Sequence, residues 1–126
     1  IVSEGLWVFT LPIILPFFQV FRFVNSLNNS LLAPIIRWAL RRIGFNINIL
    51  WAYTPHAAGL IGRFGEAFVV YECVDDFTAT RGLVRSSTIG ALEQDLLSMV
   101  DQVIVTHAGL QEAKSGISRR LALIPN

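Results

Sequence analysis

Charge is scarce in this chain, and lysine is scarcer still. Only 15% of its 126 residues are charged, and the net charge is +1. That balance leaves no general electrostatic case for nucleic acid, whose phosphates demand a basic surface. Of ten cations, nine are arginine and one is lysine, Lys114. A single cysteine, Cys73, excludes an internal disulfide and a cysteine metal cluster. Its ordinary role is that of a small apolar residue inside a strand, and a reducing, cytoplasmic setting fits it. No GxGxxG follows a strand, no GxxxxGK is followed by Ser or Thr, and no GxSxG is present. The two histidines, His56 and His107, make no zinc-binding spacing with Cys73. No cofactor and no metal is therefore expected. The chain also opens without Met or a basic leader and closes abruptly on "LALIPN". That pattern predicts a piece of a longer protein.

What is abundant is apolar: 53% of the residues. Residues 6–18, "LWVFTLPIILPFF", extended to Val24, approach the roughly 20 residues a bilayer span needs. Pro12, Pro16, Gln19 and Arg22 interrupt that run. The expectation is a buried strand over 6–11 closing at Pro12, with a span or a loop dipping into a membrane surface as alternatives. "NSLNNS", 25–30, carries turn and N-cap chemistry. In "LLAPIIRWALRRIGF" apolar residues then recur at helical spacing, Pro34 falls in the first turn and Gly44 ends the pattern.

Beyond this, "INILWAY" (47–53) reads as a strand and "HAAGLIGRFG" as a short glycine-punctuated helix. "AFVVYECV" (67–74) is a strand, "STIGALEQDLLSMVD" (87–101) a helix and "QVIVT" (102–106) a strand. "HAGLQEAKSG" is a short helix and "RLALIP" a last strand. The central strands are apolar on consecutive residues, as strands covered on both faces are. The fold expected is α/β: one domain, with a Rossmann-like, mostly parallel sheet and helices on both faces.

Open parallel sheets bind ligands beyond the carboxyl ends of their strands. Thr54 and His56 follow the strand at 47–53. Asp75 and Asp76 follow 67–74, and Thr106 and His107 follow 102–105. These six form the candidate substrate-binding edge. Each has a plainer role open to it: Thr106 as the next helix's N-cap, the histidines as solvated loop residues, the aspartates as Asx-turn formers. Adjacent carboxylates repel, so one must be solvated, paired or hydrogen-bonded; Arg81 and Arg85 are near enough in sequence to pair with them.

The succession "ILWAYTP", "VVYECVDDF", "LEQDLLSMVDQVIVTHAGLQEAK" and "LALIPN" resembles the amino-terminal domain of group 1, family-four-type glycosyltransferases of the GT-B fold. The family has a strand ending in aspartates, then a helix with a Glu near its start, then an Asp-containing strand leading to Thr or Ser, and a closing strand on Pro-Asn. Here Val100-Asp101-Gln102-Val103-Ile104-Val105-Thr106 and Ile124-Pro125-Asn126 fill the last two. The likeness covers residues 47–126. It implies transfer of sugar from a nucleotide-sugar donor to a polysaccharide or glycolipid acceptor at the cytoplasmic face of a membrane. This half would contact the sugar acceptor, with Asp75, Asp76, Thr54, His56, Thr106 and His107 facing it. The nucleotide-sugar would be held by a second domain outside this chain. The family's first strand and its glycine loop would precede residue 1, so the chain alone is expected to be inactive. No catalytic residue is assigned; an Asp at this edge could deprotonate an acceptor hydroxyl.

Two other classes compete. One is a non-catalytic α/β binding or docking module using the Asp pair as a Mg²⁺ site. A receiver domain, however, would place acids after its first strand and another Asp after a middle strand. The other is a small protein anchored through 6–24. Arg37, Arg41 and Arg42, with Trp38 and Trp51 not far away in sequence, suggest a membrane surface as a partner, an ordinary solvated helix face being the plainer role. Apolar surface left by a missing half would favour homo-oligomers.

Overall fold

The structure, a computed structural model, describes residues 4–11, 15–79, 82, 84–116 and 120–125. Arg81, Pro12 and Asn126 lie outside the described residues, so the pairing expected of Arg81 and the closing Asn126 are not described.

Helix α1 runs Arg22–Arg42, nine residues earlier than the apolar spacing that begins at Leu31. Its opening turns are "RFVNSLNNS", poor helix-forming sequence. Tertiary bonds override that propensity. Asn28 accepts from the Leu15 amide at 2.8 Å and donates to the Leu15 carbonyl at 3.2 Å. Asn25 and Asn29 donate to the His56 carbonyl at 3.3 and 2.9 Å. Pro34 consequently sits inside the helix rather than in its first turn. The stop is where the sequence puts it. Gly44 takes φ +66°, its amide bonds the Arg41 carbonyl at 3.2 Å, and Phe45 bonds Leu40 at 3.0 Å. These are the paired bonds of a Schellman ending.

Strands β1 (Ile49–Ala52), β2 (Phe68–Cys73), β3 (Gln102–Val105) and β4 (Leu121–Leu123) form one four-stranded sheet in the order β1-β2-β3-β4. Every pairing is parallel, with Ala52 opposite Tyr71 and Cys73 opposite Val105. A 3₁₀ turn (Pro55–Leu60) follows β1, and a shorter one (Phe77–Ala79) and helix α2 (Ser86–Met99) follow β2. Helix α3 (Ala108–Lys114) joins β3 to β4. The molecule is thus α/β, with a Rossmann-like parallel sheet.

Right-handed crossovers between strands laid down in one direction all fall on the same side of a sheet. The core obeys this. Tyr71, Cys73, Val103 and Val105 point to one face, where Leu96 and Leu97 of α2 and Leu110 of α3 pack on them. Ala58 of the first 3₁₀ turn joins that cluster, and α1 rests on that turn. The alternate strand residues make the second face, where Ile49, Trp51 and Phe68 are exposed. There the Trp51 indole N–H donates to Glu72 across the strands at 2.9 Å. Hence the described helices gather over one face, and the consecutive apolar residues of β2 reflect a half-open second face rather than a second helical layer.

No strand spans 6–11. Leu6 makes an isolated bridge and the rest is irregular and mostly exposed. Leu6, Trp7 and Phe9 instead line a shallow depression with Leu40, Ile43 and Phe45 at the end of α1. Among the described residues, no helix is long and apolar enough to cross a membrane.

Candidate functional site

Parallel pairing puts the carboxyl ends of β1, β2 and β3 side by side, so all six candidate residues follow strands that end on one edge. The structure gives them different work. Thr106 is buried, and its hydroxyl donates to the Val74 carbonyl at 3.3 Å, tying the ends of β2 and β3 together. It does not cap α3. His107 does: it is the exposed N-cap residue, its Nδ1 accepting from the Leu110 amide at 3.4 Å.

Asp75 and Asp76 are both exposed. The Asp75 carbonyl accepts from the Cys73 thiol at 3.3 Å. Asp76 accepts from the Thr78 amide at 3.0 Å and the Thr78 hydroxyl at 2.5 Å. The hydroxyl bond is the main reason its carboxyl titrates below the usual value. The Asp76 carboxylate is thus held by local turn chemistry, and Asp75 takes part through its backbone carbonyl. Arg85 lies instead over the Phe21 ring, 5.7 Å from its centroid.

Thr54 and His56 are arranged otherwise. Thr54 caps the 3₁₀ turn, its hydroxyl oxygen accepting from the His56 amide at 3.3 Å and lying 2.7 Å from His56 Nδ1. With one lone pair already used, the assignment that employs the hydroxyl fully has its proton on Nδ1 and the imidazole proton on Nε2. That Nε2 is buried and has no hydrogen-bond partner among the described residues. Such an atom calls for an explanation, because a buried polar group without a partner costs about 1–3 kcal/mol. Burial also lowers the His56 pKa from its ordinary 6.5, keeping the ring neutral.

His56 and Thr54 line a cavity of about 410 Å³ with Phe18, Gln19, Phe77 and Ile89. Phe18 meets the imidazole edge-on, centroids 4.9 Å apart. The segment carrying Phe18 and Gln19 is held by two bonds to the start of α2. Thr88 Oγ1 donates to the Val20 carbonyl at 2.9 Å, and the Arg85 amide to the Gln19 carbonyl at 3.1 Å. The cavity is therefore mostly apolar, with Gln19, Thr54 and His56 as its polar points, the composition of a small-ligand site. A larger depression, about 460 Å³, lies between α1, the 3₁₀ turn and α2. Of its three charged groups, Arg22, Arg63 and Asp95, the first and last pair with each other.

Comparison with known proteins finds no family model, no curated protein and no solved structure that matches this chain. Geometry and chemistry alone carry the functional argument.

Among the described residues no group of three or more His, Cys, Asp or Glu is placed to hold a metal ion. A buried polar cluster does exist behind the edge, unforeseen from the residues. Glu93 of α2 accepts from Lys114 Nζ of α3 at 2.5 Å and from the Tyr71 hydroxyl at 2.8 Å, with Cys73 Sγ at 3.9 Å. Glu93 is 5% exposed and Lys114 7%. Burial is the first cause raising both the Tyr71 and the Cys73 pKa, so phenol and thiol stay protonated. The sequence did hold a signal. Ile89, Leu92, Leu96 and Leu97 set an apolar helical face, and Glu93 falls within it. A charge there must be paired. Asp101, in the resemblance motif, accepts from the Val69 amide at 2.8 Å and ties α2's exit to β2.

Proposed function

We propose that this chain is the acceptor-side half of a glycosyltransferase, moving sugar from a nucleotide-sugar donor to a polysaccharide or glycolipid acceptor. It works at the cytoplasmic side of a membrane, with the donor site on a second domain. The single observation that carries this is the mostly apolar cavity at the strand ends lined by His56, whose Nε2 is closed to solvent and unpartnered among the described residues. A sugar offers what that site lacks. Its hydroxyls can accept from the Gln19 amide and, on a turn of the His56 ring toward the cavity, from Nε2, while its C–H faces lie against Phe18 and Phe77. Asp75 and Asp76, exposed on the same edge, are the charged groups nearest in the chain to that cavity's Phe77.

The test is ligand-observed NMR with oligosaccharides and soluble glycolipid headgroups against the chain and its His56→Ala variant. Saturation transfer to the wild type, weakened at least about tenfold in the variant, is expected for one lost hydrogen bond plus ring contact. Equal binding by both, or by neither, overturns the assignment of the cavity. A donor assay without the second half is expected to give no transfer; turnover by this chain alone contradicts the division of labour.

The open sheet face favours a second reading, a non-catalytic docking module, because Ile49, Trp51 and Phe68 stand exposed there. Absence of sugar binding together with a protein complex lost on Trp51→Ser selects it.

A further inference from the structure

Helix α1 is apolar on its outward side. Its inward side carries the buried amides Asn25, Asn28 and Asn29 together with Leu32 and Ala33. Its outward side carries Phe23, Leu27, Leu31, Ile35 and Trp38, all exposed, with Phe23 at 68% and Trp38 at 63%. At about 100° per residue these five fall within about a third of the helix circumference. At the amino end the Phe21 ring lies 5.7 Å from that of Phe23 and widens the apolar ridge. At the other end Arg37, Arg41 and Arg42 are exposed, and the Arg42 guanidinium lies 5.6 Å from the Trp38 ring centroid.

Charge tells what this ridge meets. Between Glu4 and Glu66 the sequence holds five arginines (22, 37, 41, 42 and 63) and no acidic residue. Arg22 pairs with Asp95; among the described residues no carboxylate pairs with Arg37, Arg41 or Arg42. A long apolar ridge in water is costly, and unpaired arginines at its end attract an anion. An anionic bilayer surface supplies both an apolar interior and phosphates. A second copy would bring an identical face, itself without acids, and leave the arginines unmatched.

We infer that α1 is a membrane-surface helix that lies along an anionic bilayer. Phe23, Leu27, Leu31, Ile35 and Trp38 enter the headgroup–acyl boundary, while Arg37, Arg41 and Arg42 reach lipid phosphates. The helix lies rather than crosses, because its other side is committed to the Leu15 and His56 backbone. The inference deepens the membrane location in the proposed function and is tested apart from sugar transfer: vesicle binding can fail while the His56 cavity binds sugar, and the reverse.

Co-sedimentation of the full chain with vesicles tests it. The chain pellets with vesicles of phosphatidylcholine and phosphatidylglycerol and stays in solution with phosphatidylcholine alone. The triple variant Arg37→Gln, Arg41→Gln, Arg42→Gln weakens binding on the order of a hundredfold. The double variant Leu27→Glu, Leu31→Glu abolishes it. All five side chains are exposed, so both variants keep the wild-type melting temperature and circular dichroism, which separates lost binding from lost fold. The inference is overturned if the wild type stays in solution with anionic vesicles, or if either variant binds as the wild type does. It is equally overturned if sedimentation equilibrium shows a dimer that the Leu27/Leu31 variant dissolves, since a second copy then covers the ridge.

Discussion

Glu93 and His56 are two polar side chains drawn under the same helical layer, and they are treated in opposite ways. Both oxygens of Glu93 are used, one by Lys114 and the other by Tyr71. His56 has one nitrogen on Thr54 and the other, among the described residues, on nothing. The first arrangement ties α2, α3 and β2 into one body. The second leaves an unused ring nitrogen on a residue that lines a cavity. A satisfied buried group reads as architecture and an unsatisfied one as a place for something else.

The comparison can be broken most forcefully at Glu93. Glu93→Ala leaves the buried Lys114 ammonium alone, and urea denaturation is expected to show a loss of about 3–5 kcal/mol. Replacing the whole cluster, Glu93→Leu with Lys114→Met and Tyr71→Phe, recovers most of that loss, since a buried ion pair is little better than apolar groups of similar volume once no hydroxyl is left without its acceptor. A single variant with wild-type stability would mean the cluster holds nothing together.

A smaller effect sharpens the other side. Because burial lowers the His56 pKa from 6.5, the unfolded chain takes up its proton at a higher pH than the folded one does. The His56 contribution is therefore fully present above 6.5 and is lost as pH falls through the folded value. Thermal melts of wild type and His56→Gln across that range are expected to converge as pH drops. Parallel curves would place the imidazole in solvent. The smallest effect belongs to the exposed aspartates. Thr78→Val removes the hydroxyl that holds Asp76, and an NMR titration is expected to show its pKa rising toward 3.8 with hardly any change in stability.

Much of the fold was readable because it depends on local pattern. The strands at 47–53, 67–74 and 102–106, the helix at 87–101 and the stop at Gly44 all came from periodicity and backbone chemistry, and the shared strand-end edge followed from parallel order. The failures were long-range. Residues 25–30 look like a turn until Leu15 and the His56 carbonyl bind their amides. Residues 6–11 look like a buried strand by composition, but no neighbouring strand among the described residues receives them. Glu93 shows no local sign of which residue pairs with it, because its partner Lys114 lies on another helix. At the edge, composition placed all six candidates together, yet it could not say that Thr106 and His107 have structural duties while His56 retains an unused nitrogen. That distinction needs three-dimensional bond accounting.

The strands stand in space in the order in which translation delivers them. Each newly emerged strand can therefore dock against the one made just before it, with only a modest loop to close. Such a sheet can grow from one edge on the ribosome, and Glu93 must wait for Lys114 before the last docking step is sealed.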